Sequence, residues 1–279
     1  MYIVTQNLRD EFIGGLRYRY ARDLKNKEIA EKGHIMFAAT HLYAFGTPFA
    51  NQGKTRQPRY SSHDISKLTT VLTPFVNMVW NYFRSPAPST QADFDVIHKR
   101  MCDEFLSNIS ADGKYTHTYG NSQKMVNVLF KYLACFKDSP KYAEWFRYCH
   151  MALDGYTYSG GYRLPFYSKV VYSAIHGHKA PKLVAWSQIK TYSYYKNIAD
   201  DIISYVNSHP KTYNDYLGIC AHFPILSTIP KLPPQDDYVL TPFEAEFFIW
   251  VISQACMEKH PTGGYVYPNS LVATIMRLL

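Results

Sequence analysis

Lys124 and Asp154 are the two residues of this 279-residue chain whose types and surroundings could carry a reaction. Lys124 stands in "YGNSQKMVNVLFKYLACF", directly ahead of Val126, Leu129, Phe130, Leu133 and Phe136, which have the spacing of one buried helical face. That phase predicts a helix opening around Ser122, with Lys124 in its first turn. Exposed amides there carry a partial positive charge that disfavours an ammonium group by about 0.3–1 kcal/mol and so favours the free amine. A partly desolvated amine of this kind loses its proton near neutral pH and attacks electrophilic carbon. In a nucleic acid the available electrophile is C1′ of a deoxyribose whose base is leaving, and attack there gives a Schiff base that permits strand cleavage. Such chemistry also needs a carboxylate to stabilise charge developing on the sugar and to move protons. Asp154, in "YCHMALDGYTY" past the end of the lysine helix, could supply it from the start of the next helix.

The elements that must position these two residues read as mostly α. From "TQNLRDEFIGGLRYRYARDLKNKEIAEK" onward helix formers dominate, and long runs of strict two-residue alternation are lacking. "KTRQPRYSSHD" is a polar break, "ISKLTTVLTPFVNMVWNYF" returns to helical spacing, and "RSPAPST" reads as a linker because its prolines cannot continue a helix. A further helix carries Phe94, Ile97, Met101, Phe105 and Ile109 on one face. It ends near "SADGKYTHTYGN", whose two glycines predict a tight hairpin before the lysine helix. The last strong helix starts at "TPFEAEFFIW", where Thr241 caps, Pro242 fits the first position and Glu244 completes a capping box.

Composition narrows the classes. Hydrophobic residues make up 47% and charged residues 19%, which excludes extensive disorder. Thirty Lys+Arg against 22 Asp+Glu give a formal charge of +8, and they accompany 25 Tyr and 4 Trp, a mixture suited to phosphates and stacked bases. "RYRYARDLKNK", which interleaves Arg17, Arg19 and Arg22 with Tyr18 and Tyr20, suits a phosphate-facing surface. Cys102, Cys135, Cys149, Cys220 and Cys256 are odd in number and form no CxxC pair, which argues against a disulfide framework or an all-cysteine metal site. His34 and His41, and His176 and His178, lack the paired spacing of a zinc enzyme, so neither metal nor cofactor is expected. The start lacks the pattern of a signal peptide and no apolar run approaches a membrane span. The expectation is a cytoplasmic protein without membrane contact.

Together these residues resemble the helix-hairpin-helix DNA glycosylases, most closely the lysine-bearing 8-oxoguanine glycosylase/AP lyase branch and its archaeal members. In that family a Gly-x-Gly-x-Lys hairpin binds phosphate and presents the catalytic lysine, and a downstream Val-Asp element presents the catalytic aspartate. Gly120 matches the first hairpin glycine, Lys124 the lysine and Leu153-Asp154 the Val-Asp element; Ser122 replaces the second glycine and Ala152 stands where proline is common. The resemblance covers roughly residues 92 to 160. It implies two helical lobes with a helix-hairpin-helix element and an active-site cleft between them, residues 1–91 packing with 180–279 as one lobe and 92–179 forming the other. It further implies that Gly120, Asn121, Ser122 and Gln123 hold the DNA backbone, and that Glu246 and Trp250, four apart on a late helix, line the pocket for an extruded base, with His150 touching the base or orienting the loop.

The activity so implied is excision of a modified base, 8-oxoguanine-like, from double-stranded DNA by a monomeric glycosylase with lyase activity. The alternatives are a glycosylase for a different modified base, such as one in viral DNA, a non-catalytic nucleic-acid-binding protein of the same fold, and a helical protein-interaction module. Residue by residue there are plainer readings: a surface lysine at 124, a helix cap at Asp154, a core histidine at 150, a core Trp250 and a solvated Glu246.

Overall fold

Apolar residues at helical spacing dominate, and in the computed structural model they form a mostly helical chain. The structure describes residues 6–15, 19–45, 65–111, 117–154, 157–158, 166–223, 229–255, 258–259, 265–266, 274 and 278–279. The longer α-helices are α1 (Gln6–Gly15), α2 (Lys32–Phe45), α3 (Ile65–Tyr82), α4 (Gln91–Ala111), α5 (Tyr119–Ala134), α6 (Tyr192–Ser208), α7 (Tyr213–Cys220) and α8 (Pro242–Ala255). Two antiparallel two-residue strands, Glu258–Lys259 and Tyr265–Val266, pair Glu258 with Val266 and Lys259 with Tyr265. Among the described residues no helix is long and apolar enough to cross a membrane.

The chain divides into two units. The first comprises Met1–Ile3, Leu16–Cys149 and Ser187–Tyr192, and the second Val4–Gly15, His150–Trp186 and Ser193–Leu279. This differs from the division expected from the resemblance. "RSPAPST" is a tight connection inside the first unit rather than a boundary, because Trp145 Nε1 donates to the Tyr82 and Ser85 carbonyls at 3.0 and 2.9 Å and the Tyr148 hydroxyl donates to the Ser89 carbonyl at 2.8 Å. Residues 92–149 therefore belong with the helices that precede them.

In the first unit α2 packs on α3, α3 on α4, α4 on α5, and α5 returns to α2. The apolar face anticipated for α4 is the one it buries: Phe94, Met101, Phe105 and Ile109 are at most 1% exposed. Edge-on aromatic contacts, such as Phe75 with Phe105 at 5.6 Å between ring centres, fill the interior. Removing one such ring from a core costs about 3–5 kcal/mol. α5 lies at the centre, with Gly120–Asn127 and Leu129–Ala134 all buried. It is thus enclosed all round rather than buried along one apolar face, and its polar residues must find partners inside the protein.

In the second unit α8 packs against α1 and α7. Phe12 of α1 meets Phe247 and Trp250 edge-on at 5.0 and 4.9 Å, and Phe248 stacks on Tyr216 at 5.3 Å. The start of α8 is the capping box anticipated from its sequence: Glu244 Oε2 accepts the Thr241 N–H at 2.9 Å, and Thr241 Oγ1 accepts the Glu244 N–H at 3.3 Å.

Candidate active site

α5 begins at Tyr119, three residues before the expected start. Thr118, in extended conformation, is its N-cap: Thr118 Oγ1 accepts the Asn121 N–H at 3.4 Å, and Asn121 Oδ1 accepts the Thr118 N–H at 3.2 Å. Asparagine fills the place usual for Glu or Gln in a capping box, which hides the start in the sequence. Two corrections follow. Lys124 is the sixth helical residue, in the second turn, where the field of the helix terminus has largely faded. Gly120 is not a turn glycine but a helical residue whose N–H donates to the Ile189 carbonyl at 3.0 Å. The Thr118 hydroxyl also reaches the Ser187 carbonyl at 2.9 Å. The segment Ser187–Ile189 therefore occupies the helix end that a phosphate would need, and Asn121, Ser122 and Gln123 are 4% exposed or less. Gly120–Gln123 are thus buried residues of the helix itself. Residues 112–116 of the expected hairpin lie outside the described residues, as do Arg17, Tyr18 and the side chains of Arg19 and Tyr20.

The polar side chains of α5 form an internal chain. Gln123 Nε2 donates to the Gly120 carbonyl at 2.9 Å, Asn127 Nδ2 donates to Gln123 Oε1 at 3.2 Å, and His98 Nε2 lies 3.0 Å from Asn127 Oδ1. The carbonyl at one end fixes every orientation. An amide nitrogen must face it, so both side-chain oxygens point away, and Nε2 of His98 carries the hydrogen given to Asn127. His98 Nδ1 is 3.3 Å from the Tyr192 hydroxyl, which donates to the Asp95 carbonyl at 2.9 Å. The Ser122 hydroxyl donates to the Cys102 carbonyl at 2.7 Å. These bonds fix the rotation of α5 about its axis and with it the direction from which Lys124, 8% exposed, leaves the helix. His98 and Asn127 had no place among the expected site residues. The signal that could have found them is the four-residue spacing of Gln123, Asn127 and Lys131 within "QKMVNVLFK".

Asp154, 6% exposed, belongs to the second unit and lies in a turn rather than at the start of a helix. Asp154 Oδ1 accepts the Thr157 N–H at 3.2 Å, the Asp154 N–H donates to Thr157 Oγ1 at 3.1 Å, and the Thr157 hydroxyl bonds the Ala152 carbonyl. His150 is 1% exposed, with Nδ1 2.8 Å from the Tyr195 hydroxyl. Glu246 is 1% exposed, and its Oε2 accepts the Ala152 N–H at 3.0 Å. Proline at 152 would have no N–H to give to this bond. Glu246 is therefore bound to the segment of chain that carries Asp154. Trp250, 7% exposed and edge-on to Phe12, is a core residue. His150, Asp154 and Glu246 all belong to the second unit, and Lys124 to the first.

The described cysteines, Cys102, Cys135, Cys149 and Cys220, are buried thiols outside any disulfide. Burial pushes the Cys102 and Cys220 thiols up to about 12 and raises Cys149 as well, so none of these three is an activated nucleophile. Among the described residues no three His, Cys, Asp or Glu side chains come together as metal ligands. The chain matches no protein-family model, no curated protein and no solved structure.

Proposed function

We propose that the chain is a DNA glycosylase with AP lyase activity, in which Lys124 attacks C1′ of the target nucleotide and Asp154 stabilises the sugar cation and moves protons. The observation that carries this reading is the burial of both groups. Lys124 at 8% and Asp154 at 6% exposure have been taken almost wholly out of water, which is costly for ionisable side chains and is how nucleophilic and acid–base groups are set. The helical architecture is of the kind the resemblance to the lysine-bearing glycosylases implies. An oxidised purine such as 8-oxoguanine in double-stranded DNA is the proposed substrate, acted on by a monomer, with another modified base, including one of viral DNA, as the alternative.

A non-catalytic nucleic-acid-binding protein is the second reading, supported by the formal charge of +8 and the 25 Tyr, which suit phosphates and stacked bases without calling on the lysine chemistry. Borohydride trapping separates the two. The protein is incubated with duplexes carrying 8-oxoguanine, other modified bases or an abasic site, beside Lys124→Gln and Asp154→Asn. A covalent adduct that vanishes in Lys124→Gln is the expected result and identifies the lesion. If no duplex, the abasic one included, gives an adduct, the lysine assignment fails and the binding protein takes its place.

A further inference from the structure

Between Gly155 and Ala199 the sequence contains no aspartate or glutamate, yet it holds Arg163, Lys169, Lys179, Lys182, Lys190 and Lys196, against a formal charge of +8 for the whole chain. Most of the basic excess is therefore concentrated in one stretch. In the second unit a π-helical turn over Tyr167–Val171 runs into a helical turn over Tyr172–His176, which ends at Gly177 with φ +72. That left-handed residue is one a side chain would strain, and it reverses the chain so that His176 and His178 stand beside Tyr172. The Tyr172 ring lies 4.3 Å from His176 and 5.5 Å from His178.

Lys169, Lys179 and Lys182, in the same stretch of chain, are exposed. Lys169 and Lys179 flank an open pocket whose walls include Ser168 and Pro181. The next acids along the chain, Asp200 and Asp201, are already engaged: Asp200 pairs with Lys196, and Asp201 accepts from the Tyr167 hydroxyl at 2.8 Å and lies 2.9 Å from His176 Nε2. The Asp201 bond holds His176 in place, and the three lysines have no carboxylate partner among the described residues. Burial holds the Tyr167 phenol well above its ordinary range, so it remains a donor to Asp201.

We propose that this face binds the sugar-phosphate backbone of DNA, the pocket between Lys169 and Lys179 taking a phosphate and the Tyr172, His176 and His178 rings packing on the adjoining sugars. Cations interleaved with flat polar rings fit a chain of phosphates and sugars. The proposal rests on DNA being the partner and not on the lysine chemistry; it supplies the backbone grip that the start of α5 cannot.

The test is fluorescence anisotropy with an unmodified labelled duplex, titrated at several salt concentrations. Wild type is compared with Lys169→Gln/Lys179→Gln/Lys182→Gln, with a charge-matched control Lys25→Gln/Lys67→Gln/Lys141→Gln, and with anionic lipid vesicles in place of the duplex. Because the triple variant no longer neutralises three phosphates, the slope of log affinity against log salt is expected to become shallower by about 2–3, with affinity down about tenfold or more. The control is expected to keep both values. The substituted lysines are exposed and make no ion pair among the described residues, so an unchanged thermal melt is expected. Wild-type affinity with a steep salt slope that the triple variant retains overturns this face and leaves the glycosylase reading standing. An equal loss in the control reduces the effect to net charge and overturns it too. Binding to vesicles but not to duplex overturns both readings.

Discussion

Replacing Ala152 by proline has two opposing consequences whose signs can be told apart. Proline narrows the unfolded ensemble, and where the native backbone tolerates it this raises stability by about 0.4–1 kcal/mol. Here it also deletes the N–H that Glu246 Oε2 accepts at 3.0 Å, in a place where Ala152 is 0% and Glu246 1% exposed. Depriving a buried acceptor of its partner costs about 1–3 kcal/mol. Forcing the pyrrolidine ring into a filled interior costs about 1–3 kcal/mol more. The net expectation is a loss of about 1–5 kcal/mol, read as a lowered midpoint in urea denaturation followed by fluorescence. Glu246→Gln, which keeps a carbonyl oxygen for the Ala152 N–H, should lose less than Glu246→Ala. An Ala152→Pro protein as stable as wild type, or more so, would refute the role given to this bond.

Asn127→Ala removes the acceptor of His98 Nε2 and the donor to Gln123 Oε1, both buried, and should cost about 2 kcal/mol or more in the same denaturation experiment; a loss below about 0.5 kcal/mol would show that the chain of bonds is not what holds α5. Titration of the native protein with an aromatic disulfide reagent should label at most one thiol, Cys256, because the Cys102, Cys135, Cys149 and Cys220 thiols are buried. Rapid labelling of two or more before denaturant is added would contradict that burial.

Local chemistry was legible wherever a signal is complete within a few residues. The start of α8 follows from Thr241, Pro242 and Glu244 because a capping box closes over four consecutive residues. The inner face of α4 follows from its helical period, although Ile97 is only half-buried while neighbouring His98 is fully enclosed. The start of α5 was missed because asparagine does the work of Glu or Gln at its third residue, and because glycine at its second position resembles a turn.

By itself the sequence determined that the chain is helical, which residues break it, and that its basic excess lies in an acid-free stretch, since periodicity, proline and charge are properties of neighbours along the chain. Only the tertiary structure decided which donors and acceptors meet. The Ile189 carbonyl closes the helix end expected for phosphate, and the Ala152 N–H claims the Glu246 carboxyl expected for a base. Both partners are far away in sequence, and the cost of leaving a buried polar group unpaired, which selects them, appears only when the chain has closed around it.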